Sequence, residues 1–264
     1  MINRIEQLSI NITDICNMEC EFCLRGDGEG RKLNLSLIPQ IFDGLDIIDE
    51  ITITGGEPGC YVEAVTAITD YLVEHRDQID VRGLFIITNA KEYRQELVDA
   101  VKRMLFLHME KEYGTGKMIS GRDVHVCNYA LEEMLHSFGI AVSMDQFHEP
   151  VNIMNYFRYR TSGVYSRSKE IDYKDGGIMA RGRGAGLYRS MDRPYYEFSV
   201  QTDQEEIMAY QVYVTVEGQV FADCDMSYEM ETYNEPAGDL YEETLAQIMQ
   251  RHADENNDIQ NMDY

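Results

Sequence analysis

Strand-like and helix-like hydrophobic periods alternate through the first half of this chain of 264 residues. Short apolar runs alternate with stretches in which apolar residues recur every three or four positions. Repeated strand–helix units predict parallel strands joined by right-handed crossovers, and therefore an α/β fold. The predicted strands lie in residues 5–13, 50–54, 83–88 and 140–145, and the predicted helices in residues 35–46, 61–75, 91–110 and 129–139.

Single residues define several of the predicted helix ends. Ser36 is a candidate N-cap, and Pro39 is tolerated in the first turn of the same helix. Gly139 is expected to end the fourth helix, since glycine favours the backbone conformation that follows a helix. Residues 111–128 are predicted to form an insertion or a loop.

The end of the chain follows a different pattern. Residues 210–224 predict two antiparallel strands that turn at Glu217-Gly218, and a short helix is predicted over residues 241–252. The change of pattern predicts two parts, a main domain at residues 1–195 and a small α+β C-terminal extension at residues 196–264.

Bulk properties exclude several classes of protein. With 47 acidic and 23 basic residues the formal charge is −24, which repels phosphate backbones and makes nucleic acid a poor partner. There is no run of eighteen apolar residues that predicts a membrane span. The N-terminal residues lack the pattern of a signal peptide, so we expect a cytoplasmic protein.

Three cysteines near the N-terminus have the spacing C-x3-C-x2-C: Cys16, Cys20 and Cys23. Thiols this crowded, in a chain without an export signal, indicate a metal site rather than disulfides. A structural zinc ion needs four ligands, and Cys60, Cys127 or a histidine would have to supply the fourth from a distance. A 4Fe–4S cluster held by three thiolates instead leaves one iron open to a small molecule.

Polar segments follow each of the four predicted strands. The cysteine motif follows the first strand, "GGEP" the second, "TNA" the third and "MDQFHE" the fourth. The carboxyl ends of parallel strands meet at one edge of a sheet, and sites in α/β folds gather there. We therefore expect these four segments to converge on one rim.

The chain resembles the radical S-adenosylmethionine (SAM) enzymes. The resemblance rests on C-x3-C-x-aromatic-C with Phe22 before Cys23, on "TGGEP" at Thr54–Pro58, on "TNA" at Thr88–Ala90 and on "VSMD" at Val142–Asp145. It implies a partial (β/α)6 TIM-like barrel, in which the three cysteines hold a 4Fe–4S cluster in the loop after the first strand.

The resemblance also implies the chemistry. SAM binds the open iron through its amino and carboxylate groups, and one electron from the cluster breaks a carbon–sulfur bond. The resulting 5′-deoxyadenosyl radical takes a hydrogen atom from the substrate. Because the chain has no second redox centre of its own, an external low-potential electron donor such as flavodoxin or ferredoxin is implied.

The same resemblance assigns residues to the cofactor. Gly55 and Gly56 would let backbone groups approach the methionine moiety, and Glu57 would accept a hydrogen bond from its ammonium group. "ARGRG", with Arg181 and Arg183, resembles the "GRA" element of these enzymes and would bind a carboxylate or phosphate; the alternative is a solvated basic turn. The predicted cofactor-binding residues are Phe22, Gly55, Gly56, Glu57, Pro58, Thr88, Asn89, Ser143, Arg181 and Arg183.

Two residues are candidate catalytic groups. Asp145 and His148 follow the fourth predicted strand, where substrate would lie, and could form a proton shuttle. The alternative is that His148 caps a loop.

The C-terminal segment resembles a reduced SPASM or twitch extension, which in peptide- and protein-modifying relatives holds auxiliary clusters. Cys224 is the one cysteine left in this segment, and one thiolate cannot hold a second cluster.

The predicted function is hydrogen-atom abstraction from a peptide or protein residue. The alternatives are radical chemistry on a small metabolite, sugar or nucleoside, activation of a glycyl-radical partner, and an iron–sulfur electron carrier without SAM chemistry.

Overall fold

The computed structural model describes most of the chain, with gaps that include Cys127 and Asp145. The helix predicted at residues 129–139 falls largely outside the described residues, as does the loop predicted at residues 111–128 beyond residue 114. The described residues are 1–114, 136–144, 148–166, 178–179, 181–186, 190–191, 197–203 and 205–262.

One sheet holds nine of the described strands, and helices pack against it. The helices are α1 (Ile38–Phe42), α2 (Val62–Glu74), α3 (Gln95–Tyr113), α4 (Ile153–Arg160), α5 (Tyr228–Tyr233) and α6 (Leu245–Met262). The strands are β1 (Ile2–Asn11), β2 (Ile47–Thr54), β3 (Asp80–Val81), β4 (Leu84–Thr88), β5 (Phe138–Val142), β6 (Ile178–Met179), β7 (Ser190–Met191), β8 (Val200–Thr202), β9 (Glu206–Val214), β10 (Gln219–Phe221) and β11 (Gly238–Asp239).

The main path of the sheet runs β11-β10-β9-β1-β2-β4-β5, with β3 beside β2 and β8 beside β9. β1, β2, β4 and β5 pair in parallel, and α2 and α3 connect them as the alternating periods predicted. β5 and β11 lie at opposite ends of this path, so the sheet of the described residues is not closed. The predicted α/β class is confirmed, and the unclosed sheet agrees with a partial barrel.

The core forms because apolar side chains line the sheet and the facing helices. Ile5, Leu8 and Ile10 of β1 are fully buried, as is Ile68 of α2. In β4 and β5 nearly every side chain is buried, which is typical of parallel strands covered on both faces. This continuous core fixes where each strand ends and therefore where the polar segments after the strands lie.

Two predicted helix ends are wrong. Asn34, not Ser36, supplies the cap, because its side chain accepts a hydrogen bond from the backbone of Ser36 at the start of a 3-10 turn, Leu35–Leu37. Gly139 lies inside β5 and ends no helix. A side chain at Gly139 would overlap the side chain of Ser166 at 2.3 Å, so the glycine serves close packing.

The C-terminal strands belong to the same sheet as the N-terminal ones. β9 pairs in parallel with β1 along most of its length, and β10 returns antiparallel to β9 as predicted. The sheet therefore runs across the predicted boundary at residue 195, and the division into two domains stays a prediction. None of the described helices is both long and apolar enough to cross a membrane.

Candidate functional site

The carboxyl ends of five parallel strands face the same rim of the sheet. β1, β2, β4, β5 and β9 run in one direction, so the segments that follow them lie side by side. The cysteine motif follows β1, and its thiols are free, with Cys16 exposed and Cys20 and Cys23 half-buried. The rim therefore presents three thiols beside the other predicted motifs.

Gly55 and Gly56 press against the backbone that leads into the cysteine motif. A side chain at Gly55 would lie 2.5 Å from the carbonyl oxygen of Thr13, and one at Gly56 would lie 2.4 Å from that of Ile15. The amide of Gly56 donates to Thr13 O, and that of Glu57 donates to Ile15 O. The two glycines thus join the motif after β2 to the loop after β1, in addition to any contact with a cofactor.

Glu57 is a buried carboxylate that ties two strand ends together. Oε1 accepts hydrogen bonds from Thr88 Oγ1 at 2.7 Å and from the amide of Gly59 at 2.9 Å, and Oε2 accepts one from the amide of Asn89 at 2.7 Å. Burial raises the pKa of Glu57, while these three donors act in the opposite direction. Pro58, also buried, begins the 3-10 turn that follows.

Asn89 connects this carboxylate to the cysteine loop. Its side-chain amide donates to Asn17 Oδ1 at 2.8 Å and to Cys16 Sγ at 3.7 Å. The next residue, Ala90, has φ of 53°, a left-handed backbone that alanine rarely adopts. The turn after β4 is therefore held in a strained conformation that directs Asn89 at a predicted cluster ligand.

An ion pair that the sequence analysis missed holds the loop from the other side. Lys91 Nζ lies 3.1 Å from Glu149 Oε2, and it also donates to the carbonyl of Asn17. Glu149 Oε1 accepts from the amide of Glu19, and the amide of Glu149 donates to Cys20 Sγ at 3.4 Å. The one sequence feature that pointed to Glu149 was its place beside His148 in "DQFHE". Nothing in the sequence indicated that Lys91 would be its partner.

The glycine-rich segment at residues 181–186 lies directly on the cysteine loop. Gly182 has φ of 53°, and a side chain there would lie 2.3 Å from the carbonyl of Leu24 and 2.5 Å from that of Cys23. The amide of Arg183 donates to the carbonyl of Cys23. This contact brings the predicted "ARGRG" element to the site, and glycine is required there on two grounds.

The two arginines of this element have different surroundings. Arg181 is buried, pairs with Asp223 at 3.3 Å and donates to the carbonyl of Asp225. Arg183 is half-buried, and its Nε lies 3.6 Å from Asp27. The side chain of Arg181 thus points into the protein. Arg183 contacts the cysteine loop through its backbone amide, which donates to the carbonyl of Cys23.

The remaining predicted residues lie around the same rim. The amide of Ser143 donates to the carbonyl of Thr88 at 2.9 Å, which places it at the end of β5. Phe22 is half-buried between the second and third cysteines, and His148 is half-buried next to Glu149. Asp145 lies outside the described residues, so its catalytic role and that of His148 stay predictions.

A second group of potential metal ligands lies outside the cysteine motif. Among the described residues, three potential ligand atoms lie within 4.8 Å of one another in Asp223, Cys224 and Asp225. The guanidinium of Arg181 already pairs with Asp223 and so supplies a positive charge to this group.

Residues 10–110 match the family model of the Radical SAM superfamily. The GTP 3′,8-cyclase of Alkaliphilus oremlandii is 40% identical over 62 residues, which are 21% of this chain and 19% of that protein. The GTP 3′,8-cyclase of Yersinia pestis is 32% identical over 88 residues, which are 31% of this chain and 26% of that protein. This chain therefore matches only about a fifth to a quarter of the length of these two relatives.

A solved structure of BtrN in complex with AdoMet and 2-DOIA resembles this chain with a TM-score of 0.47 at 12% identity, covering 94% of this chain and 83% of that one. Residues 10–110, which run from β1 into α3, are a radical SAM domain. For this part of the chain, the match confirms the predicted superfamily. Its members use a 4Fe–4S cluster and SAM, and three free thiols, two of them accepting N–H donors, fit such a cluster here.

Proposed function

We propose that this chain is a radical SAM enzyme with one 4Fe–4S cluster, held by Cys16, Cys20 and Cys23, that abstracts a hydrogen atom from a peptide or protein residue. When bound, the cluster and SAM supply a carbon-centred radical after one-electron cleavage of a carbon–sulfur bond. The observation that carries the proposal is that segments after β2, β4 and β5, and Gly182, all contact a loop with three free thiols.

The described residues would hold and shield this chemistry. Asn89 and the backbone of Glu149 donate to two of the sulfurs, which stabilises thiolates as cluster ligands. The apolar strands behind the rim exclude water from a reactive radical. Phe22 in the cysteine loop, Ser143 after β5 and Arg183, whose amide donates to Cys23, are candidate contacts for SAM.

An exposed apolar surface beside the rim favours a peptide or protein substrate. Ile153, Met154 and Phe157 are 57%, 66% and 50% exposed and share one face of α4. This helix begins four residues after Glu149, whose amide contacts Cys20. A surface of this kind suits the side chains of a polypeptide better than a small polar metabolite.

The test of the enzymatic class is SAM cleavage under anaerobic conditions. Protein reconstituted with iron and sulfide, then reduced with dithionite or flavodoxin, should form 5′-deoxyadenosine from SAM. Cys20→Ala should abolish both the cluster absorbance and this product. Cys60→Ala is the matched control, because Cys60 is half-buried outside the motif and its thiol pKa is raised by burial to about 11.

The substrate class has its own test. Incubation with peptides should increase 5′-deoxyadenosine formation, and Phe157→Glu should remove that increase without changing the basal rate. Stimulation by nucleoside triphosphates and not by peptides would favour the small-metabolite alternative, in keeping with the GTP 3′,8-cyclase relatives. A reducible cluster that never cleaves SAM would identify an electron carrier, and transfer of a radical to a protein glycine would identify an activating enzyme.

A further inference from the structure

Arg25 lies two residues after Cys23, and its side chain points into the C-terminal half of the chain. Nη1 donates to Tyr213 Oη and to the carbonyl of Met226, both at 2.9 Å. Its guanidinium carbon lies 4.7 Å from the centre of the Tyr213 ring, and its carbonyl accepts from the amide of Tyr228. One residue of the cysteine loop is therefore anchored to β9, to α5 and to the segment between them.

A buried carboxylate opposes this cation. Glu231 Oε1 lies 3.7 Å from Arg25 Nη1 and accepts a 2.6 Å hydrogen bond from Tyr213 Oη. Asn11 donates to the same hydroxyl at 3.0 Å, so the tyrosine links the end of β1 to both charges. Arg25 and Glu231 are 11% and 3% exposed as side chains, and charges in such surroundings act over longer distances than charges in water.

The network is not fully satisfied by its own members. Asn11 Oδ1, Tyr228 Oη and Glu231 Oε2 are buried and have no hydrogen-bond partner within the described residues. An arrangement that leaves three polar atoms unpaired carries a cost in stability. Stability alone therefore does not explain the network around Arg25, and the position of Arg25 two residues after Cys23 points to a role at the cluster.

We propose that Arg25 is a positioning residue which anchors the cysteine loop to the C-terminal segment and, together with Glu231, sets the reduction potential of the cluster. The inference rests on the proposed function, since it requires a cluster on Cys16, Cys20 and Cys23. Reduction adds one electron to the cluster, so a buried cation nearby favours it and a buried anion opposes it. The two residues should therefore shift the potential in opposite directions.

The experiment is an anaerobic redox titration, followed by electron paramagnetic resonance and performed without SAM. Arg25→Met should lower the equilibrium constant for one-electron reduction about tenfold, or about 59 mV. Glu231→Gln should raise it by a similar factor at about pH 8.5, well above the ordinary range of a glutamate. Arg251→Met and Glu243→Gln are the matched controls. These two residues form an ion pair, with N and O atoms 2.6 Å apart, between α6 and the segment before it. Neither substitution should shift the reduction potential.

Two further measurements keep the proposal decidable. Arg25→Lys keeps the charge but not the paired contacts, so it should keep the potential while losing iron to a chelator faster than wild type. If Arg25→Met does not retain its cluster, Arg25→Lys and Glu231→Gln decide the question. Shifts of the same sign in Arg25→Met and Glu231→Gln, or no shift in Glu231→Gln, would overturn the proposal.

The outcome is separable from that of the proposed function. Wild-type protein that loads a cluster and shows the two opposite shifts, but forms no 5′-deoxyadenosine with SAM, would support the role of Arg25 and refute the enzymatic proposal. If the wild-type protein cleaves SAM but Arg25→Met and Glu231→Gln leave the reduction potential unchanged, the result would support the enzymatic proposal and refute the role of Arg25.

Discussion

The backbone amide of Asn89 donates a 2.7 Å hydrogen bond to Oε2 of Glu57 and so joins the end of β4 to the end of β2. The side chain of Asn89 continues the connection to Cys16. A buried carboxylate below the rim and a cysteine on it are thus linked through one residue. Substitutions along this path should separate its contribution to folding from its contribution to the metal centre.

Glu57→Ala should lower the free energy of unfolding by about 3 to 5 kcal/mol, because it leaves buried donors from Gly59, Thr88 and Asn89 without an acceptor. Urea denaturation at neutral pH measures this loss. Glu110→Ala, on the exposed side of α3, is the control and should change it by less than about 0.5 kcal/mol. A loss at Glu57 as small as that of the control would contradict the structural role.

The pH dependence of stability gives an independent check on Glu57. Burial raises the pKa of Glu57 above its ordinary value of 4.5, so the folded protein holds this proton to a higher pH than the unfolded chain does. Its contribution to stability is therefore full below the unfolded pKa and is lost as the pH rises through the folded pKa. The stability of wild type relative to Glu57→Gln should fall from about pH 4.5 upward, as denaturation curves at several pH values would measure; a relative rise would refute the shift.

Gly182→Ala should reduce iron incorporation strongly, because the added carbon would overlap the carbonyls of Leu24 and Cys23. Gly30→Ala is a close control, since Gly30 also has a left-handed φ, 85°, but has nothing within 4 Å of the added carbon. Both variants should lose about 1 to 2 kcal/mol through backbone strain, and Gly182→Ala should lose more. Iron content after reconstitution measures the difference, and equal iron in the two variants would count against the contact.

Asn89→Ala should speed the loss of iron to a chelator by about tenfold, as expected when a group that supports a metal ligand is removed. The side-chain amide of Asn89 contacts both Cys16 and Asn17. Asn155, on α4, donates to the carbonyl of Lys91 and to no cysteine within the described part of the chain. Asn155→Ala should therefore retain iron at the wild-type rate. The prediction fails if the two variants lose iron at the same rate.

The sequence was sufficient to locate the rim but not the contacts that hold it. Hydrophobic periods placed β1, β2, β4 and β5, and the rule that parallel strands end at one edge brought their polar segments together. Gly55 and Gly56 were expected to let the backbone approach a cofactor, which stays a prediction, and the structure shows that they also pack against Thr13 and Ile15. A glycine motif indicates close approach, but it does not identify the group that approaches.

Long-range partners were the features that the sequence could not predict. Lys91 and Glu149 are 58 residues apart, and Arg25 and Tyr213 are 188 residues apart. No hydrophobic period or spacing relates such pairs, since only the packing of the sheet brings them together. The same holds for β9, whose pairing with β1 is set by tertiary structure.

The pairing of β9 with β1 also constrains when the site can form in a cell. The cysteine loop is synthesised before the residues that anchor it, because Tyr213 and Glu231 follow Arg25 by 188 and 206 residues. A nascent chain thus displays its three thiols long before it can enclose them. Any machinery that delivers iron and sulfur to this protein would meet an anchored loop only after Glu231 has been made.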